Sequence, residues 1–371
     1  MHISRLFSTL LFSATIAIST STKSAIALVA ACDYRLREDL SQAQTSQEKA
    51  EAYFRAASGC STGSINWEGE YHNTAIEYYN KAIDLGLNSQ KTYQSYTYLG
   101  NIYRELKEYD KARNYYDIAI KIAPEPSIAH INRGILYEKL DKDRLAIDNY
   151  NNAIERAIDS APIYLARGKV WEKINENEKA LADYNQAVAK RFYGTNAYIA
   201  RGDLYQKLGR YHKAIDDYTE AIAFIDNSIT TNLERKSVIR RESGFSRNLA
   251  QAYRQRGNAY RETKQYQQAL ADFSKSNFIE PLPIDFYLYR AEVYREIADY
   301  QQALNDYVMV IACDDDSADR AIAHLGMRYI YRDRQKLSEA IDSFNRAADL
   351  FMGQGKREEF DATVNEIEKL Q

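Results

Sequence analysis

Four glycines, Gly100, Gly134, Gly168 and Gly202, stand 34 residues apart, and each is followed three residues later by Tyr103, Tyr137, Trp171 or Tyr205. Twelve residues past each glycine comes Ala112, Ala146, Ala180 or Ala214, then four further on Tyr116, Tyr150, Tyr184 or Tyr218, and after three more Ala119, Ala153, Ala187 or Ala221. A glycine inside a helix costs about 1 kcal/mol against alanine, so its recurrence demands a reason, and the close approach of a second helix supplies one. The alanines admit neighbouring helices in the same way, and the aromatics fill the space between them. A two-helix unit of this length cannot hide its apolar face alone; stacking against the next unit does so, with contacts only between neighbours.

The register shifts by 21 residues and resumes at Gly257, Tyr260, Ala269, Phe273 and Ser276, then at Ala291, Tyr294, Ala303, Tyr307 and Val310. A looser copy holds Gly326, Tyr329, Ala340, Phe344 and Ala347, and an incomplete first copy shows Ala75, Tyr79 and Ala82. The pattern resembles the tetratricopeptide repeat over residues 45–354. That resemblance implies an all-α, right-handed superhelical solenoid of about eight helix-turn-helix units closed by a C-terminal capping helix. The expected organisation is an export segment over 1–27, N-terminal helices and a degenerate first unit over 28–92, and four units over 93–228. A basic insertion over 229–249, three units over 250–354 and a cap over 355–371 follow. Pro124 and Pro281 fall where second helices should stop, and Phe360, Val364, Ile367 and Leu370 have helical spacing in the cap.

Few Pro and Gly (5 and 15 of 371 residues) fit a helical chain, and 31 Tyr fit an aromatic that recurs in a pattern. A formal charge of −3 lacks the basic footprint of a nucleic-acid-binding protein. At the start, Arg5, the apolar stretch Leu6 to Ile18 and Ala25-Ile26-Ala27 have the layout of a cleavable signal peptide; a short membrane anchor or a buried first helix is the competing reading. Val29-Ala30-Ala31-Cys32 also resembles a lipoprotein cleavage box, although Lys23 interrupts the apolar run before it. Alternatively Cys32 pairs with Cys60 in an oxidising compartment. Both fates consume one sulfur and exclude each other. Membrane association is expected only if Cys32 is lipidated, and the compartment is periplasm or another on the secretory route, the thylakoid lumen of a photosynthetic host included.

In five units an Arg precedes the glycine or its alanine substitute, and the same units carry Asp or Asn just before the second-helix aromatic. The expected contacts within hairpins are Arg133 with Asn149, Arg167 with Asp183, Arg201 with Asp217, Arg256 with Asp272, and Arg290 with Asp306. If solvent-exposed, such a contact is worth only about 0–1 kcal/mol, so it is assigned to register; anion binding by these arginines is the alternative.

No catalytic constellation emerges. His72, His130, His212 and His324 are scattered, none belongs to a metal-binding spacing, and there is no Cys-x-x-Cys. Neither an enzyme nor a cofactor or metal site is expected. In tetratricopeptide superhelices the first helix of each hairpin lines the concave surface, which implies an apolar set of Ile128, Ile131, Ile135, Leu165 and Ile199. These residues either form a pocket or pack between first helices. Farther along, the inward set becomes Arg254, Asn258, Arg261 and Arg295, beside the insertion with Arg235, Lys236, Arg240, Arg241 and Arg247. Together they suit an extended or helical partner segment that carries acids, unless the insertion's charges are merely solvated. The carboxylate clamp of some relatives is incomplete: Asn101 and Asn132 match, but Thr97, Pro162 and Ala166 stand where cations are needed. The reading is a non-catalytic interaction scaffold of the bacterial envelope. The alternatives are an outer-membrane lipoprotein that assists pilus or wall assembly, and a binder of glycans or small ligands through its tyrosines.

Overall fold

The computed structural model describes residues 34–61, 70–156, 160–190, 194–231, 244–280, 285–313 and 317–368. The export segment, Cys32, Pro281 and most of the basic insertion lie outside them, as does the side chain of Cys60. Among the described residues every regular element is helical, and none is long and apolar enough to cross a membrane.

The chain divides into two compact units, Met1–Glu176 and Asn177–Gln371. The first holds a helical stretch over 34–42, then α1 (Ser46–Ser61), α2 (Glu70–Asp84), α3 (Ser89–Glu105), α4 (Tyr109–Ile122), α5 (Ser127–Lys139), α6 (Asp143–Glu155) and α7 (Ala161–Lys173). In the second are α8 (Asn177–Ala189), α9 (Gly194–Lys207), α10 (Tyr211–Thr231), α11 (Gly244–Glu262), α12 (Tyr266–Ile279), α13 (Asp285–Glu296), α14 (Tyr300–Cys313), α15 (Ser317–Asp333), α16 (Leu337–Gly353) and α17 (Arg357–Glu368). Within each unit consecutive helices pack in chain order, and first helices also touch: α3 with α5, α9 with α11, α11 with α13. This all-α repeat architecture is the one the 34-residue ladder requires.

The glycines act as expected, with a specific partner. A Cβ built on Gly134 would lie 2.8 Å from Cε1 of Tyr150, on Gly202 2.8 Å from Cε1 of Tyr218, and on Gly257 2.7 Å from Cε1 of Phe273. Each ring is fully buried, so the first helix yields its side chain to make room for the aromatic of its own second helix. The alanines of the ladder, Ala112, Ala119, Ala146, Ala153, Ala214 and Ala221 among them, are completely buried as well.

The hairpin turns share one backbone device. Positive φ recurs at Lys107, Asp141, Asn175, Gly209, Lys264, Ala298 and Gln335, one after each first helix from α3 to α15, and among the described residues it is found also at Gly86 after α2 and Gly355 after α16. The next amide then reaches back across the turn, as in Glu108 N–H to Tyr103 C=O at 2.8 Å and Gln265 N–H to Tyr260 C=O at 2.8 Å. This pairing satisfies carbonyls that the helix end would otherwise leave open. At the C-terminus, Phe360 of α17 packs on the cluster of Ala321, Ala347 and Phe351, which closes the last hairpin.

In Gly100→Ala the new methyl would run into Cε1 of the buried Tyr116 ring, and overpacking of about 1–3 kcal/mol outweighs the helix-propensity gain of about 1 kcal/mol. Gly59 has nothing within 4 Å of its Cβ position, so Gly59→Ala keeps the gain. The urea midpoint is expected to fall for the first variant and rise for the second.

Candidate functional site

In four hairpins the residue before the ladder glycine, or before the alanine that replaces it, faces the residue before the second-helix aromatic, and in three of them the ring that fills the glycine notch holds those positions together. Arg201 donates from Nε to Asp217 Oδ2 at 2.8 Å and from Nη2 to Oδ1 at 2.6 Å. Arg256 makes the same fork to Asp272 at 2.6 and 2.9 Å, and Arg290 to Asp306 at 2.7 and 2.7 Å. In the first unit Arg133 Nε donates to Asn149 Oδ1 at 2.8 Å. Of the remaining couple, Arg167 belongs to the first unit and Asp183, buried, to the second.

The third guanidinium nitrogen has a role that the sequence reading missed. Nη1 of Arg133, Arg167, Arg201 and Arg256 donates to Asp117 (2.5 Å), Asn151 (2.7 Å), Asn185 (2.7 Å) and Thr219 (3.0 Å). Each acceptor directly follows the second-helix aromatic of the preceding hairpin. A polar residue recurring at that offset was the available signal. Aromatics three before and four after the arginine complete the setting: the Arg201 guanidinium lies 5.7 Å from the Tyr198 ring and 6.0 Å from Tyr205, and Arg256 lies 5.5 Å from Tyr253 and 5.7 Å from Tyr260.

Burial changes the energetic reading. The Asp272 side chain is only 4% exposed and that of Arg256 13%, so these are not the solvated pairs to which a fraction of a kcal/mol applies. Donating to the Asp217 carboxylate holds the Arg201 guanidinium more firmly protonated than usual. With the fork on the aspartate and the third nitrogen on the neighbouring hairpin, Arg201 and Arg256 spend their donors inside the fold, which argues against anion capture there.

The inward-facing residues sort differently from expectation. Ile199 is 6% exposed and belongs to a core cluster with Ala221, Ile222, Ala252 and Tyr253, so it is corrected from groove to core. Ile131 and Ile135 are half-buried against Ala146, Ile147, Tyr150, Ile163 and Val170, and Leu165 is half-buried. Only Ile128 is open, at 51%. First helices of successive hairpins pack on one another, and that contact uses the apolar positions.

In the second unit the first-helix face is polar. Asp203, Gln206 and Lys207 of α9, Tyr211 of α10, and Gln255 and Glu262 of α11 enclose a cavity of about 350 Å³. Arg261 is neutralised by Glu292 and, at 2.6 Å, by Glu262, and it lies over Tyr289. Arg295 donates to Glu296 at 2.8 Å and lies over Tyr329. Arg254, half-buried, makes no ion pair among the described residues. One turn on, Asn258 is 7% exposed; its Nδ2 donates to Gln255 Oε1 at 3.3 Å, while Oδ1 has no partner among the described residues.

The repeat itself explains that orphan. At the same place, directly after the glycine, Asn101 Oδ1 accepts from Tyr116 Oη at 2.7 Å and Asp203 Oδ1 from Tyr218 Oη at 2.7 Å. The corresponding aromatic of the α11–α12 hairpin is Phe273, which has no hydroxyl.

Residues 93–126 and 195–228 each match the family profile of the tetratricopeptide repeat. These two stretches are tetratricopeptide repeats. Solved structures agree on the fold. The Pseudomonas aeruginosa pilF protein shares 12% identity, with 66% of this chain and 99% of that one covered, at a TM-score of 0.51. The C-terminal part of a repeat-containing protein from Cytophaga hutchinsonii shares 17%, with 68% and 93% covered, at 0.52. No curated protein sequence matches the chain.

Tetratricopeptide repeats are interaction modules. Among the described residues of this repeat protein, no group of three His, Cys, Asp or Glu is placed to hold a metal ion. Cys32 and Cys60, and with them the choice between lipid and disulfide, lie outside the described side chains, as do Arg235, Lys236, Arg240 and Arg241.

Two measurements probe the ladder. Asp272→Ala leaves the mostly buried Arg256 without its carboxylate and is expected to cost about 3–5 kcal/mol. Asp272→Asn, which keeps an acceptor as Asn149 does for Arg133, should cost about 1–3 kcal/mol; urea unfolding of both variants checks the order. Separately, burial pushes the pKa of His130 down despite its hydrogen bond with Asn149, with Arg133 and Arg156 adding to the shift, and burial does the same to His324. Near pH 6 the unfolded chain therefore binds more protons than the native one, so stability rises with pH. The contribution is complete above about pH 6.5 and is lost as pH falls through the depressed native values. The urea midpoint should drop between about pH 7.5 and pH 5.5, and less steeply in His130→Gln.

Proposed function

We propose that this protein is a non-catalytic scaffold exported to the bacterial envelope, which binds acid-bearing segments of partner proteins on the first-helix face of its second unit. The observation that carries the reading is the unpartnered Oδ1 of Asn258. It lies between Gln255 and Glu262 along α11, both of which line the cavity. A buried amide oxygen without a donor costs about 1–3 kcal/mol, and a peptide N–H entering from the groove recovers it. Arg254, one turn earlier on α11, supplies a charge for a carboxylate on the same segment. The signal-peptide layout read from the sequence of residues 1–27 supports the envelope assignment.

Peptides selected from a random display library against the purified protein test this. They are expected to be enriched in Asp and Glu, and to bind Arg254→Glu at least about tenfold more weakly, a change of about 1.4 kcal/mol. Phe273→Tyr, which offers Asn258 the hydroxyl that Tyr116 gives Asn101, should also weaken them. Equal binding to all three proteins would overturn the assignment.

A second reading rests on Val29-Ala30-Ala31-Cys32: a lipid-anchored assembly factor. Palmitate labelling lost in Cys32→Ala favours it, and a mature N-terminus at Leu28 removes it.

A further inference from the structure

Phe278 is 91% exposed, more than any other large apolar residue in the described chain. The repeat shows that packing does not call for it. Five residues past the second-helix aromatic, the other hairpins carry Lys121, Glu155, Ala189, Ala223, Ala312 and Asp349, which are the small or charged residues of a solvated face. A single exposed ring is ordinary, but one that adjoins further apolar surface marks an interaction site.

Its surroundings are built by the ends of the insertion. α10 runs for 21 residues where α4 has 14 and α6 has 13. α11 begins 13 residues before its ladder glycine, where α5 and α7 begin seven before theirs. The added first turns of α11 bring Leu249 beside Tyr253, and with Ile279, Lys275 and Ser274 of α12 they form a mainly apolar recess of about 330 Å³ next to the Phe278 ring. At its rim Arg247, 81% exposed, stands 4.0 Å from Glu280.

We infer that this face pairs with the same face of a second copy of the chain, each Phe278 entering the partner's recess. A knob beside a hole on one surface is self-complementary under a two-fold axis. So is a rim carrying one exposed cation and one half-buried acid, because rotation sets each Arg247 against the partner's Glu280. A lone partner of single-sign charge would meet repulsion from one of the two. The patch is small, and each buried phenyl ring contributes about 150–250 Å², so the dimer belongs to the weak class. This surface is separate from the first-helix cavity, so its failure leaves the peptide-binding reading standing.

Sedimentation equilibrium of the purified protein under reducing conditions, from about 1 to about 200 μM, is the test. The expected result is a shift from monomer to dimer mass, abolished in Phe278→Asp with no change in the urea midpoint. Arg247→Glu alone and Glu280→Arg alone should each remain largely monomeric, while an equimolar mixture of the two restores dimer, since both cross-axis pairs become attractive. A monomer throughout the range overturns the inference, as does dimerisation unaffected by Phe278→Asp. A loss of stability in that variant without any dimer in the wild type shows instead that the chain's own segment covers the ring, and this too overturns it.

Discussion

The fold depends on one steric exchange: the first helix of a hairpin gives up a side chain so that an aromatic of the second can lie against its backbone. Everything else is registered on that contact. Once the Tyr150 ring occupies the Gly134 notch, the residues on either side of both are held in one register. That is why an arginine one step before the glycine meets an acceptor one step before the ring. The tyrosine hydroxyl then needs a partner, and the position after the glycine provides it in α3 and α9.

The arginines extend this local lock to the next hairpin. A planar guanidinium with donors on three nitrogens binds its own hairpin through a fork and the preceding one through the remaining nitrogen. In a solenoid, where stability is a sum of repeat terms and nearest-neighbour terms, Arg201 and Arg256 contribute to both kinds at once. The buried carboxylates make these contacts costly to break, and the flanking tyrosines shield them from water.

Much of this was legible in the sequence because repetition acts as its own control. The 34-residue spacing gave the helices and the notch, and the co-occurrence of Arg with Asp or Asn gave the hairpin contact. The groove was read less well. Ile199 belongs to the core because adjacent first helices bury each other's flanks, a contact that a register drawn from a single hairpin does not contain. Arg261 and Arg295 looked like free cations, yet Glu262 and Glu296 directly follow them in the chain and Glu292 reaches Arg261 from the next first helix; a register that tracks one helix face leaves out both the adjacent position and the neighbouring helix. The Phe273 substitution was in plain view, but its meaning for Asn258 required knowing where the other hairpins send their tyrosine hydroxyls.

The two-sided arginine also bears on how such a chain can change length. Every hairpin that carries the device offers an acceptor behind its aromatic and a guanidinium ahead of its notch, and Asp117, Asn151, Asn185 and Thr219 all serve as acceptors. Recombination that drops or duplicates one such module therefore joins a donor to a compatible oxygen at the new seam. The array is tolerant of copy-number drift while remaining intolerant of a shift by a single residue.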